Sequence, residues 1–147
     1  MKTRKHNERP VERCNGTALR KASRYLSQFY DAAIAPSGLR GTQKAILATI
    51  DRAGPISMGK LADELLIDRS ALSQNMKLLE REGLVVVSAD LKDGRAKLVS
   101  LTDYGRERHA VAHPLWEAAQ KRFEETYGAE DALQLRHLMA RITNLEL

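Results

Sequence analysis

Cysteine is nearly missing from this chain: 147 residues hold one, Cys14. An internal disulfide is therefore excluded, and a structural thiolate zinc site is a poor expectation. Long apolar runs are missing as well. The longest stretch of branched aliphatics is Leu84 to Val87, far short of the roughly 20 residues that a membrane-spanning helix needs. The opening residues, MKTRKHNERPVER, are charged with no apolar stretch behind them, so no secretory signal is expected and a cytoplasmic address follows. No Gly-rich phosphate loop, nucleophile elbow or paired carboxylate with a supporting histidine stands out, which argues against an enzyme, and no cofactor is expected. Repeats and low-complexity segments are absent too. A hydrophobic content of 43% beside 29% charged residues describes one ordinary globular domain with a moderate core.

What the chain does have is a net charge of +5, which suggests a polyanionic partner. Its distribution is uneven. Residues 1–30 hold eight Lys/Arg against two Glu, so the remainder is close to neutral. Residues 57–102 carry seven basic and seven acidic side chains, and only placement on one face can make that segment attractive to phosphate.

Periodicity predicts a mainly helical chain. Residues 1–13 read as a flexible basic tail. Leu19, Ala22, Leu26, Phe29 and Ala33 form one stripe of a first helix from Gly16 to Ile34, ended by Pro36-Ser37-Gly38. Thr42 is expected to cap a second helix, which stops at Gly54-Pro55, and Ser57 a short third. Asp68 or Ser70 starts a fourth, with Leu72, Met76 and Leu79 inward and Gly83 at its end. Strands follow at Val85 to Val87 and Val99 to Leu101, joined through an Asp93-Gly94 turn signal. Thr102-Asp103 opens a long helix with Ala110, Leu115, Ala119 and Phe123 along it, which Pro114 should kink or divide. A last helix from Ala129 carries Leu135, Leu138, Met139, Ile142 and Leu145.

A helix-turn-helix followed by a basic-tipped hairpin is the shape of a winged helix, a mainly α (α+β) fold. The flanking helices have wide apolar stripes and no other core to cover, so two copies are expected to pack through them as a homodimer. Residues 14–147 then form one domain, with 14–36 and 103–147 as dimerisation helices and 40–102 as the DNA-binding lobe. On the fourth helix Arg69, Ser70, Ser73, Gln74 and Lys77 oppose the buried seam, with Asn75 at its border. These side-chain types can read base edges: Arg clamps guanine, Gln and Asn bracket adenine. Lys92, Arg95 and Lys97 at the hairpin tip suit the minor groove or flanking phosphates, while Asp93 and Gly94 supply the turn and Asp93 fixes Arg95 by a charge-assisted bond.

The segments DRSALSQNMKLLEREGLV and DGRAKLVSLTDYG resemble MarR-family transcription regulators, a likeness running from Gly16 to the C-terminus. Family wings usually show an Asp followed closely by Arg, then a hydrophobic strand ending in Leu-Thr and a Gly. Asp93, Arg95, Leu101, Thr102 and Gly105 match, although the family often has two adjacent arginines where this chain has Gly94-Arg95-Ala96. The resemblance implies a triangular dimer on double-stranded DNA at a pseudo-palindromic operator, acting as a repressor released by a small aromatic or anionic effector or by oxidation. A sequence-neutral architectural DNA binder is the alternative. Cys14, at the N-terminal end of the first helix, is a candidate redox sensor, with Tyr25 and Tyr30 downstream. His109 and His113, four apart, are weak candidates for a metal.

Overall fold

Ser57, Asp68 and Thr102 each accept a hydrogen bond from the backbone N–H three residues on, at 3.3, 2.8 and 2.9 Å. Each satisfies a donor that a helix start leaves orphaned, worth about 1 kcal/mol apiece. They begin helices α3 (Met58–Leu65), α4 (Arg69–Arg81) and α5 (Asp103–Tyr127), which follow α1 (Asn15–Ile34) and α2 (Gly41–Ala53). The last helix is α6 (Ala129–Thr143). Strands β1 (Ile56–Ser57), β2 (Val85–Ala89) and β3 (Lys97–Leu101) form one antiparallel sheet in the order β1-β3-β2. The protein is described by a computed structural model over residues 9–147, and the basic-tail expectation for residues 1–8 lies outside the described residues. No described helix is long and apolar enough to cross a membrane.

Two local expectations are corrected, those for Thr42 and Pro114, and others are filled in. Thr42 does not cap α2, whose N-cap is Arg40. The Gln43 side chain reaches back to accept from Arg40 N at 3.0 Å, and Asp31 of α1 accepts from Gly41 N at 2.6 Å. A partner from another helix thus supplies what a local cap would have. Pro114 neither ends nor divides α5, which runs 25 residues through it; one missing N–H is tolerated in a helix braced by packing over its whole length. Along α5 the expected Ala119 is buried and Leu115 and Phe123 are half-buried, but Ala110 is exposed, and Gly105 and Ala112 join Ala119 as the buried positions, seven apart. Small residues there let the backbone lie close to its neighbours. The two-residue β1 was not legible, since its pairing with β3 is what makes it a strand. The hairpin loop spans Asp90 to Ala96 and holds the expected Asp93-Gly94 turn, closed by Ala96 N donating to Asp93 O at 3.0 Å.

A single core joins these elements. Ile34, Ile46, Leu47, Ile50, Leu61, Leu72, Met76, Leu79, Val99 and Leu101 meet with Ala112 of α5. The α4 seam of Leu72, Met76 and Leu79 is at most 2% exposed, so that helix can present only its other face. Gly83, in the left-handed region at φ 74°, turns the chain from α4 into β2. Beyond this core the apolar stripes run out uncovered: Leu19, Leu138, Ile142 and Leu145 are each exposed by 45% or more. One hydrogen-bonded chain ties α1, α5 and α6 together, with Tyr30 donating to Gln120, Gln120 to Glu124, and Arg136 pairing with Glu124 at 3.0 Å.

Candidate nucleic-acid interface

Three residues, Leu66 to Asp68, separate α3 from α4, and Leu66 takes the left-handed conformation (φ 52°) that turns the chain this tightly. The outward face of α4 carries Arg69, Ser70, Ser73, Gln74 and Lys77, all exposed. Arg69, Ser73, Lys77 and Glu80 line a cleft of ≈ 250 Å³ together with Lys97 of β3 and the apolar Met58, Leu72, Met76 and Val87. The helix and the wing therefore present their cations to one shared cleft. Ser70 and Gln74, four apart, lie on the outer side of the same helix.

Asn75 does not join them. Its amide donates back to the Ala71 carbonyl at 3.0 Å, and it borders a different cleft with Arg40, Thr42, Gln43 and Glu82. Sequence reading missed Gly59 of α3. A Cβ there would come within 2.9 Å of the Arg69 guanidinium, so the absent side chain leaves room for Arg69 to lie across α3.

The wing loop is built from two Asx turns. Asp90 Oδ1 accepts from Lys92 N at 2.9 Å, and Asp93 Oδ1 from Arg95 N at 3.2 Å. The second bond goes to the Arg95 backbone, not to its guanidinium, which corrects the expected charge-assisted pair. Asp93 shapes the turn and leaves the Arg95 side chain free.

The same economy resolves the neutral charge of residues 57–102. Five of the seven carboxylates there are turned onto protein donors: Glu64 onto Arg52, Asp68 onto Ala71 N, Glu82 onto Gln43, and Asp90 and Asp93 onto their own turns. The seven cations behave otherwise. None of Lys60, Arg69, Lys77, Arg81, Lys92, Arg95 and Lys97 has a carboxylate within 4.0 Å among the described residues. The face is electropositive in orientation although not in sum.

This arrangement has close counterparts. A family model described as MarR family matches residues 37–96, the span from the end of α1 to the wing loop. The transcriptional regulator MosR of M. tuberculosis, solved in complex with DNA, is 33% identical and superposes with a TM-score of 0.75, covering 90% of this chain and 99% of its own. The chain belongs to the MarR family. It is a transcription regulator of the winged-helix type, and its relatives are regulators, not enzymes. The repressor CouR, bound to a 23-mer duplex, is 25% identical with a TM-score of 0.82, covering 92% of this chain and all of its own. The HTH-type regulator YdgJ of Bacillus subtilis is 31% identical over 108 residues, 74% of this chain. This chain spans 66% of YdgJ's length.

Away from the winged helix, this MarR-family chain has a second cleft of ≈ 390 Å³ between α1, α2 and α5, lined by Leu26, Ser27, Tyr30, Lys44 and Trp116 among others. Lys44 is 9% exposed, and its ammonium lies 4.4 Å over the Trp116 ring with no carboxylate within 4.0 Å among the described residues. Burial holds its pKa below the ordinary lysine range, opposed by Glu117. His109 packs nearby on α5, its Nε2 4.0 Å from Asp51 and its buried Nδ1 without a partner. Burial, reinforced by Lys44 and His113 and opposed by Asp51, holds its imidazole below the usual range. His113 instead stacks on Trp116 and faces Glu117 at 3.4 Å. The two histidines thus serve separate partners, and no group of three or more metal-ligating side chains converges among the described residues.

Cys14 is exposed and is the N-cap residue of α1. The Thr17 hydroxyl, then the N–H groups of Thr17 and Gly16, pull its pKa below the ordinary thiol value. Tyr25 and Tyr30 lie 11 and 16 residues further along the same helix, so roughly 16 and 24 Å away along the axis. Neither can reach Cys14 within one chain.

Proposed function

We propose that this protein works as a homodimeric, sequence-specific repressor that sits on a pseudo-palindromic operator and leaves it on binding a small ligand or on oxidation. The observation that carries the reading is the free cationic face shared by α4 and the wing, with five of the seven carboxylates of residues 57–102 bonded to protein donors. In this reading Arg69, Ser70, Ser73, Gln74 and Lys77 enter the major groove, and Lys92, Arg95 and Lys97 meet the adjacent minor groove and phosphates. MosR solved with DNA and the repressor CouR bound to a duplex support it. Residues 14–36 and 103–147 serve as dimerisation helices and 40–102 as the DNA-binding lobe. The uncovered stripes of α1 and α6 support that division, and a two-fold partner would set the two α4 helices in successive major grooves, about 34 Å apart.

The test is fluorescence anisotropy with a duplex bearing the inverted repeat from the protein's own promoter, competed by random duplex. A regulator keeps a preference of about 10³-fold or more; a preference below about tenfold indicates the sequence-neutral architectural alternative. In the same assay Arg95→Ala should weaken binding to all sequences and flatten the salt dependence by about one unit of slope. An unchanged slope removes Arg95 from the contacts.

Release is assigned to two places. The buried Lys44 ammonium over Trp116, at the mouth of the α1–α2–α5 cleft, suits a small aromatic anion: the ring stacks while the unpaired charge is met. Cys14, its thiol acidified by its position at the α1 start, suits oxidation. With benzoate as probe, operator release by wild type should be lost in Lys44→Met and kept in Cys14→Ser. With hydrogen peroxide the pattern should reverse. A probe that releases both variants equally well, or neither the variants nor wild type, rules out the corresponding route.

A further inference from the structure

We propose that Leu91, in the wing loop, is an apolar minor-groove contact that packs against the deoxyribose walls beside the charged contacts of Lys92 and Arg95. This inference rests on the regulator reading above and adds to it a residue whose chemistry is opposite to that of its neighbours. Single exposed leucines are ordinary on protein surfaces, and the case for this one comes from where it stands and how it is held.

Leu91 is 102% exposed, with no part of its side chain covered by its own protein. It lies in the seven-residue loop from Asp90 to Ala96, in which Asp90, Lys92, Asp93 and Arg95 are all charged. The backbone on both sides is pinned. Asp90 N donates to the Ala96 carbonyl at 2.9 Å, which closes the base of the loop, and Ala96 N donates to Asp93 O at 3.0 Å. The Asp90 carboxylate accepts from Lys92 N at 2.9 Å. That bond makes Leu91 the central residue of an Asx turn, so its side chain is thrown outward from the loop.

Nothing in the turn itself calls for an apolar side chain at the central position, and a polar one would be better solvated. The ordering cost of the loop is already met before any partner arrives, so apolar area buried at Leu91 goes largely into affinity. The surroundings select the kind of partner. Both loop carboxylates are occupied by backbone N–H groups, while Lys92, Arg95 and the following Lys97 have no carboxylate within 4.0 Å among the described residues. An apolar point flanked by free cations complements the minor groove, where sugar C–H groups form the walls and phosphates line both edges. The adjoining cleft between α4 and β3 also pairs apolar Met58, Met76 and Val87 with Arg69, Lys77 and Lys97, beside one carboxylate, Glu80.

The experiment compares wild type, Leu91→Ser and Leu91→Met on the promoter duplex by fluorescence anisotropy at several salt concentrations. Leu91→Ser should bind roughly tenfold more weakly, as expected for losing part of a buried leucine. Its plot of log affinity against log salt should run parallel to that of wild type, because no counterion is released by an apolar group. Leu91→Met should bind within about twofold of wild type. Netropsin, a minor-groove ligand, should lower wild-type affinity and narrow the gap to Leu91→Ser. Thermal melts of all three should coincide, since the side chain touches nothing in the free protein. Wild-type affinity in Leu91→Ser overturns the inference, and so does a loss accompanied by a shallower salt slope, the signature of a disturbed cationic contact. A wild-type chain with no preference for the promoter duplex overturns the regulator reading itself, which the unmutated protein reveals before any variant is compared.

Discussion

Placing a methyl group on Gly105 should destabilise the protein by about 2–3 kcal/mol, although Gly105 lies inside a helix. Helix propensity alone points the other way, since Gly→Ala in a helix interior usually gains about 1 kcal/mol. The tertiary contact decides the sign. A Cβ at Gly105 would lie 2.0 Å from the Leu84 carbonyl oxygen and 3.0 Å from its carbon. These are backbone atoms with no rotamer to escape into. Leu84 O also accepts from Thr102 N at 3.1 Å, and the Thr102 hydroxyl donates to Gly83 O at 2.5 Å while accepting from Gly105 N. Thr102 and Gly105 thus clasp the end of α4, the start of β2 and the first turn of α5 in one joint. Moving Leu84 to admit a methyl group would disturb all three bonds. Gly105→Ala should melt roughly 5–10 °C below wild type at matched concentration. A melting temperature at or above wild type would show that the joint gives way freely.

Replacing Leu138 and Ile142 together by glutamate should reduce operator affinity by about 10²–10⁴-fold with little change in the helical content of the monomer. The two residues are four apart on α6 and are 51% and 48% exposed, so the charges enter no core of their own chain. If that face packs on a second copy, two buried carboxylates per subunit would meet their symmetry mates and force the dimer apart. A monomer offers one α4 helix and one wing to a two-site operator, and loses the effective concentration that tethers the second contact. Analytical ultracentrifugation at micromolar concentration should give a dimer for wild type and a monomer for the double variant. A double variant that stays dimeric and binds normally would move the interface elsewhere.

Much of the fold was legible because its signals are short-ranged. Ser57, Asp68 and Thr102 cap helices through bonds to the third residue on, and Gly83 ends α4 by its backbone alone. Leu72, Met76 and Leu79 share a face by spacing. The errors share an opposite cause. Arg40 displaced Thr42 as the α2 cap because Asp31, on another helix, takes the Gly41 donor. On α5, Gly105 and Ala112 are buried where the pattern pointed to Ala110, because small residues are needed where backbones approach, a demand that no hydrophobicity pattern expresses.

The sequence by itself determined the element order, the helix-turn-helix followed by a wing, and which side of α4 must face outward. Each follows from local bonding and from burial periodicity. Tertiary structure decided the part of the charge that local turns do not, Glu82 onto Gln43 and Glu64 onto Arg52. Residues 57–102 sum to zero on paper, and no count of side chains reveals that five of their seven carboxylates are bonded to protein donors while their cations have no carboxylate within 4.0 Å among the described residues. That outcome depends on which donors the folded chain brings within reach, and it turns a neutral segment into a surface suited to phosphate.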